Sequence, residues 1–247
     1  GREARTALMK LRGADILARA LAATGARHVF ALSGNHVMPV FDAALEAELT
    51  IVHVRHEAAA VHMADAWGRL RGEPGIALVT GGPGHANAVS ALYTALAAES
   101  PLILVSGHAP LDELGKGAFQ EMRQAEVAAP LAKASWTAQS AQGLAADVAR
   151  AWREACGGRP GPVHLSVPND VLDAVVDAPA LEFKMAEDSI GPAPEIIQAL
   201  RSAQRPLIIA GPARMRDGAR ALEEATGVPV IGMESPRGVN DPSLGWL

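Results

Sequence analysis

Apolar residues follow two alternating patterns along the chain. Apolar runs of five or six residues are typical of strands buried in a sheet. Between these runs lie longer, Ala-rich stretches whose apolar residues recur about every 3.6 positions, which predicts helices. The strands are predicted at His28–Leu32, Thr50–Val54, Gly75–Thr80, Pro101–Ser106 and Val163–Val167. The helices are predicted at Ala14–Ala23, Val37–Glu46, Glu57–Leu70, Ala86–Ala98 and Gly143–Ala155.

This alternation predicts an α/β fold. Continuous apolar strands separated by helices indicate a mostly parallel sheet with helices on both faces. Gly25 and Gly72 follow two of the predicted helices, in the position where glycine commonly ends a helix. In such sheets, ligands bind at the carboxyl ends of the strands.

The pattern divides the chain into a first domain (1–173), a linker (174–191) and a second unit (192–247). The linker mixes Asp, Ala and Pro without a clear period. A two-stranded parallel sheet is not a self-sufficient domain, so we expect the second unit to be part of a larger α/β domain. Its elements are predicted as helix Pro194–Ser202, strand Pro206–Ala210, helix Asp217–Thr226 and strand Val228–Gly232.

Composition narrows the class of protein. The 247 residues are 49% hydrophobic and 20% charged with a net charge of −5, which is ordinary for a folded enzyme. Aromatic residues make up 4% and basic residues are scattered, so we expect no nucleic-acid partner. The longest apolar runs fall far short of the roughly 20 residues of a membrane helix, and no signal peptide is visible. We therefore expect no membrane partner and a cytoplasmic location.

Glu57 is the first candidate for chemistry. It follows the second predicted strand and opens a helix, where the helix dipole favours a negative charge. The small apolar residues at 58–61 would desolvate the carboxyl group and favour its neutral form, as a functional acid requires. The alternative is a solvated charge at a helix start. A metal site is disfavoured, because His56 and His62 are six residues apart and lie on different helix faces.

Three further segments follow predicted strands. The loop 81–87, Gly-Gly-Pro-Gly-His-Ala-Asn, joins a strand to a helix but lacks the Lys-Ser/Thr of a P-loop and the third glycine of a dinucleotide fingerprint. The alternative interpretation of this loop is a tight turn between the strand and the helix. Gly34 permits a close approach of the backbone, and His36 is a candidate acid or base, although a polar turn capped by Asn35 is the simpler interpretation. The segment 115–122 lies in a long connection, and long connections are commonly functional.

In this order the segments resemble those of the thiamine diphosphate-dependent enzymes, in the group of acetolactate synthase, benzaldehyde lyase and 2-hydroxyacyl-CoA lyase. The resemblance extends from about Arg12 to the end of the chain. Its carriers are Gly13–Leu17, Val29–Leu32, Arg55–Ala60, Thr80–Asn87, Gly117–Glu121 and Arg159–Val163. The stretch Arg205–Pro212 resembles the start of the family's central domain.

The resemblance implies a role for each candidate residue. Glu57 matches the glutamate that hydrogen-bonds N1′ of the cofactor's pyrimidine and so promotes the imino form of its 4′-amino group. Gln120 matches a glutamine that faces the reaction centre, and His36 falls where benzaldehyde lyase has an active-site histidine. The residues implied to lie beside the pyrimidine are Gly34, Thr80, Gly82, Pro83 and Asn87.

The resemblance also implies cofactors and partners. The family's N-terminal domain binds the aminopyrimidine, and its C-terminal domain holds the diphosphate and Mg²⁺. These 247 residues contain no Gly-Asp-Gly…Asn stretch, so the Mg²⁺ ligands are expected outside them. Some members carry FAD in the central domain. The active site forms between subunits, which implies a homodimer or homotetramer.

Three functions remain open from the sequence. The first is an acetolactate synthase-like enzyme, a thiamine diphosphate-dependent lyase, ligase or decarboxylase that acts on 2-oxo acids or 2-hydroxy ketones. The alternative within the same group is an activity like that of benzaldehyde lyase or 2-hydroxyacyl-CoA lyase. The second is a non-catalytic domain that needs a partner chain. The third, a nucleotide-binding α/β domain, is disfavoured because no fingerprint follows the first strand.

Overall fold

The computed structural model describes residues 9–178, 193–210 and 218–232. Contacts divide the chain into two compact units, one holding nearly all of residues 1–185 and the other holding residues 186–247. Among the described residues, none of the helices has the length and apolar character needed to cross a membrane.

The first unit alternates strands and helices as the pattern predicts. Its strands are β1 (Met9–Arg12), β2 (His28–Ala31), β3 (Thr50–His53), β4 (Gly75–Val79), β5 (Leu102–His108), β6 (Ala134–Thr137), β7 (Pro162–Pro168) and β8 (Val175–Ala178). Its α-helices are α1 (Gly13–Ala23), α2 (Met38–Glu46), α3 (Glu57–Arg71), α4 (Pro83–Ala97), α5 (Gln124–Ala128), α6 (Leu144–Cys156) and α7 (Asn169–Asp173). Short 3₁₀ turns lie at Asn35–Val37, Leu111–Glu113 and Ala129–Leu131.

Six of these strands form one parallel sheet in the order β3-β2-β4-β5-β7-β6. Alternate residues of a strand point to opposite faces. Ile76 and Leu78 of β4 therefore join the apolar cluster that contains α1, α2 and α6, while Ala77 and Val79 join the cluster that contains α3 and α4. The predicted fold class, a parallel sheet flanked by helices on both faces, is confirmed.

Three short strands, β1, β6 and β8, were not predicted, and β8 changes the expected linker. Residues 175–178, placed in the linker by their composition, instead form β8 and pair antiparallel with β1. The pairing joins segments more than 160 residues apart, so no local pattern of apolar residues predicts it. The rest of the predicted linker, residues 179–191, lies outside the described residues. The edge strand β6 was also missed, because its four residues are all half-buried and carry no continuous apolar run.

The strand order places a crevice beside β2. The chain runs from β2 to β3 on one side and then crosses to β4 on the other side of β2. A reversal of this kind leaves the loops after the two neighbouring strands diverging, and ligands commonly bind between them. Here the loops after β2 and β4 contain Gly34 and Thr80.

The second unit contains α8 (Pro194–Ser202), β9 (Ile208–Ala210), α9 (Ala219–Thr226) and β10 (Val230–Gly232). The two strands pair in parallel, and the order of elements agrees with the pattern. Ala210 and Val230 form its small buried cluster.

Candidate functional site

Thr80 lies at the centre of the crevice, directly after β4. Its side chain packs against the backbone of Gly34, where an added Cβ would stand 2.5 Å from the Thr80 Cβ. It also packs against Gly84, where an added Cβ would stand 2.7 Å from the Thr80 Cγ2. Atoms this close cannot coexist, so both positions require glycine for the loops to meet.

Glu57 and Asn87 meet at the mouth of this crevice. Glu57 is the first residue of α3, half-buried, and Asn87 is exposed near the start of α4. The Asn87 side-chain amide donates a hydrogen bond to Glu57 Oε2 across 3.0 Å. The other carboxylate oxygen faces Gly84, where an added Cβ would lie 3.4 Å away. Glu57 is therefore held at the crevice by one side-chain partner, with its Oε1 against a residue without a side chain.

The neighbouring histidines hold local structure. His56 caps α3, since its Nδ1 accepts a hydrogen bond from the Ala58 amide at 3.1 Å. The Nδ1 atom of His53 lies 3.1 Å from the Ala31 carbonyl oxygen, and His62 is exposed. Within residues 9–178, 193–210 and 218–232, no three His, Cys, Asp or Glu side chains come together as a metal ion would require.

His36 lies beside Thr80. Its side chain is 2% exposed, with Nδ1 3.4 Å from Thr80 Oγ1 and the ring stacked on Phe119 at 5.9 Å. Burial lowers the pKa of His36, and the nearby His108 lowers it further. The imidazole is therefore neutral at pH 7, and it can accept or donate a hydrogen bond in the crevice.

Gln120 approaches the crevice from the connection after β5. Its φ of 57° lies in the left-handed region, which is uncommon for a residue with a side chain. Its Oε1 atom is buried and has no hydrogen-bond partner among the described residues. An unpaired buried oxygen of this kind costs free energy unless a ligand or water supplies the donor. The geometry therefore suits a ligand that donates a hydrogen bond here.

Gly82 is the residue against which Gln120 packs. Its φ is +58°, and an added Cβ would stand 2.7 Å from the Gln120 Cβ and 2.8 Å from its carbonyl oxygen. Both the backbone conformation and the contact therefore require glycine. Pro83 follows as the exposed first residue of α4, where its missing N–H breaks no helical bond.

The structure thus brings the predicted site residues together at one edge of the sheet. Contacts connect Asn87 to Glu57, Glu57 to Gly84, and Gly84 to Thr80. Thr80 in turn contacts Gly34 and His36. Phe119, which stacks on His36, leads to Gln120 and from there to Gly82.

Sequence reasoning missed two residues that shape this edge. The Glu121 carboxylate accepts hydrogen bonds from the amides of Gly115 at 2.6 Å and Ala118 at 3.2 Å, and these bonds lower its pKa. These two hydrogen bonds stabilise the conformation of the connection that contains Gln120. Gln124, one turn further on, is buried and bonds the Gly82 amide. Neither stood out, because a lone polar residue in a loop has no spacing that marks it.

Comparison with known proteins finds a family match for the part of the chain that forms this edge. Residues 11–127 match the model of the N-terminal TPP binding domain of thiamine pyrophosphate enzymes. That span contains Gly34, His36, Glu57, Thr80, Gly82, Pro83, Asn87 and Gln120.

Relatives cover most of this chain. It is 31% identical over 234 residues to a probable acetolactate synthase large subunit of Methanocaldococcus jannaschii, covering 89% of this chain and 40% of that protein. A catabolic acetolactate synthase of Raoultella terrigena is 34% identical over 221 residues, covering 87% of this chain and 39% of that protein. 2-Hydroxyacyl-CoA lyase 2 of Caenorhabditis elegans is 33% identical over 267 residues, covering 90% and 42%.

The chain thus spans about two fifths of the length of the curated relatives it matches. These matches, together with the six-stranded parallel sheet, show that the chain belongs to the thiamine diphosphate-dependent enzyme family.

Proposed function

We propose that the crevice beside β2 binds the aminopyrimidine of thiamine diphosphate. We further propose that the whole protein makes or breaks a carbon–carbon bond next to a carbonyl group, in the manner of an acetolactate synthase. The family match supports the cofactor, and the relatives' names support the reaction. The observation that carries the proposal is the placement of Glu57 at the crevice, oriented by Asn87.

The residues present fit this group. When bound, thiamine diphosphate supplies a carbon nucleophile and the electron sink for bond cleavage. Glu57 has one carboxylate oxygen paired to Asn87 and the other against Gly84, which leaves room for a flat ring at the carboxyl group. A protonated Glu57 carboxyl would donate to ring nitrogen N1′ and hold a proton there.

The other cofactor contacts follow from the shape of the crevice. Gly34 and Gly82 let the loops pack closely on Thr80 and Gln120, and together with Pro83 they place backbone rather than long side chains at the crevice. The Thr80 side chain, held between two glycines, forms the floor of the crevice. We assign these residues and Asn87 to the pyrimidine, and Gly34 is included because it keeps Thr80 in place.

His36 and Gln120 are assigned to the reacting substrate. Neutral, buried His36 can accept or return a proton near the crevice. The unpaired Gln120 Oε1 can accept a hydrogen bond from a substrate hydroxyl group. The substrate is then a small 2-oxo acid or 2-hydroxy ketone.

The remaining parts of the assignment rest on the family alone. We propose that the diphosphate and Mg²⁺ are held by residues outside these 247, and that the protein works in the cytoplasm as a homodimer or homotetramer. Whether the central domain also carries FAD is a question for the absorbance spectrum of the purified protein.

Replacement of Glu57 by Gln tests the function. In the complete protein supplied with thiamine diphosphate and Mg²⁺, Glu57→Gln should lower kcat for pyruvate or benzoylformate by about 100-fold or more, because removal of a positioned acid has that effect. The control is Glu46→Gln, at the exposed end of α2, which should turn over like the wild type. Equal turnover by wild type and Glu57→Gln with every donor would exclude the proposal.

The second candidate is lyase chemistry on a 2-hydroxyacyl-CoA or a benzoin-type ketone. A lyase relative is as similar to this chain as the synthases are, and His36 occupies a buried position stacked on Phe119. Parallel assays with pyruvate, benzoin and a 2-hydroxyacyl-CoA would decide between the two. A protein that binds no thiamine diphosphate until a partner chain is added, as measured by gel filtration, would instead indicate the non-catalytic alternative.

A further inference from the structure

Gln124 joins three segments that each end at the candidate site. It is 1% exposed, and its Oε1 accepts a hydrogen bond from the Gly82 amide at 2.8 Å. Its Nε2 donates to the Gly107 carbonyl oxygen and to Ser166 Oγ, both at 2.9 Å. Since an amide N–H must face an acceptor oxygen and a carbonyl must face a donor hydrogen, these partners determine which way the side-chain amide points.

Gly82, which donates to Gln124, also lies against Gln120. The Gly82 backbone is in the left-handed region and lies within contact of the Gln120 backbone and Cβ. Gln120 is itself left-handed, with φ 57°, and its Oε1 is buried without a partner. A left-handed residue with a side chain persists only where its surroundings hold it. The Gly82 backbone supplies that support, and Gln124 holds Gly82.

The rest of the polar cluster lies away from this contact. Ser166 Oγ lies 3.4 Å from His164 Nε2, and His164 Nδ1 lies 2.8 Å from Ser135 Oγ, which also donates to the Ala125 carbonyl. Ser135 therefore belongs to the same hydrogen-bonded cluster without contact to Gly82 or Gln120 among the described hydrogen bonds. This provides a matched control.

We propose that Gln124 is a positioning residue: through the Gly82 amide it sets the conformation of Gln120, and thereby the placement of the Gln120 side chain in the site. Gln124 itself would touch neither cofactor nor substrate. The catalytic part of the proposal rests on the proposed function, whereas the structural link from Gln124 to Gly82 and Gln120 does not.

Hydrogen exchange measures the link directly, in the complete protein without cofactor or substrate. In the wild type, the Gly82 amide should exchange at least about 100-fold more slowly than an unprotected amide, although it lies in a loop. Gln124→Met keeps the length of the side chain and removes its polar atoms, so exchange at Gly82 and at residues 118–122 should rise by about 10-fold or more. Gln124→Glu retains an acceptor oxygen for the Gly82 amide, and its protonated form, which burial favours, can still donate to the Gly107 carbonyl, so it should keep Gly82 protected.

Turnover separates positioning from mere stability. Gln124→Met should lower kcat/KM for the donor by about 10-fold at saturating thiamine diphosphate. Ser135→Ala should lower the unfolding temperature and leave both kcat/KM and Gly82 exchange unchanged.

Three results would overturn the proposal: an unprotected Gly82 amide in the wild type, equal exchange in wild type and Gln124→Met, or an equal loss of kcat/KM in Ser135→Ala. If Gln124→Met does not fold, the wild-type exchange rate and the Gln124→Glu variant decide. If the wild type turns over no donor, the proposed function fails, while the exchange data still test the link.

Discussion

The side-chain amide of Asn87 donates to the carboxylate of Glu57 across 3.0 Å, although thirty residues separate them. Glu57 opens the helix after β3, and Asn87 lies in the helix after β4. Because β2 lies between those two strands, the bond spans the carboxyl end of β2. This single contact closes one side of the crevice and determines which way the carboxylate faces.

Loss of the Asn87 amide should impair the orientation of Glu57. We expect Asn87→Ala to lower kcat/KM by about 10-fold, because loss of one orienting hydrogen bond costs about 1.4 kcal/mol. Asn87→Asp keeps the size but faces a carboxylate with another oxygen, so its loss should be at least as large. Steady-state kinetics with saturating thiamine diphosphate and Mg²⁺ provide the measurement. An Asn87→Asp variant as active as the wild type would contradict this role.

Gly34 and Thr80 should behave as a coupled pair. A Cβ at position 34 would stand 2.5 Å from the Thr80 Cβ, so Gly34→Ala should lower the free energy of unfolding by about 1–3 kcal/mol. Thr80→Gly removes the clashing atoms, so the double variant should recover most of the loss that Gly34→Ala causes. Urea denaturation of the four proteins of this cycle gives the coupling energy.

The control for that cycle is Gly218→Ala. Among the described residues, nothing lies within 4 Å of a Cβ built at Gly218, and its φ is −95°. Alanine there meets no such clash, so the free energy of unfolding should fall by less than it does in Gly34→Ala. Additive losses in the cycle, or an equal loss at Gly218, would mean that Gly34 is not required by Thr80.

The free energy of unfolding should fall on mild acidification because of His85. This histidine is fully buried beside Ser106 and His164, and burial lowers its pKa to about 4. In the folded protein the His85 imidazole stays neutral, whereas in the unfolded chain it takes up a proton near pH 6.5. The stabilisation is complete above pH 6.5 and declines toward pH 4, by about 3 kcal/mol for a shift of this size. Denaturant unfolding between pH 7 and 4 measures it.

His85→Gln should make that profile shallower between pH 6.5 and 4, while His164 and His36, whose pKa values burial also lowers, keep part of the slope. The variant is less stable at pH 7, but its free energy of unfolding should change less with pH than that of the wild type. Asp15, whose pKa is lowered by its hydrogen bonds with Arg12, contributes equally to both proteins and cancels in the difference. Parallel profiles for the two proteins would contradict the assignment.

The pH dependence of turnover should report His36. Because burial lowers the pKa of His36, a step that needs the neutral imidazole should keep its rate down to a pH below 6.5. In His36→Gln the acidic limb of the kcat/KM profile that belongs to this residue should be absent, and kcat/KM at neutral pH should fall by about 100-fold. An unchanged profile would assign the acidic limb to another group.

The periodicity of apolar residues predicted most of the main elements within a few residues. The central strands at His28 and Gly75 begin where the apolar runs begin, because a buried parallel strand must be apolar on both faces. Gly25 and Gly72 marked helix ends correctly, each with positive φ. The conformation of the connection 109–123 could not be predicted from the sequence. The hydrogen bonds of Glu121 and the left-handed backbone of Gln120 depend on loop contacts that follow no periodic pattern.

By itself, the sequence determined the alternation of strands and helices, the approximate bounds of the longer helices, and the identity of the residues that resemble a cofactor site. These features depend on neighbours within about four residues, through side-chain periodicity and backbone conformation. The tertiary structure alone decided the order β3-β2-β4 and the contacts Asn87–Glu57, Gly34–Thr80 and Gln124–Gly82. Such contacts form between residues distant in the chain, because which strands become neighbours depends on packing summed over the whole domain.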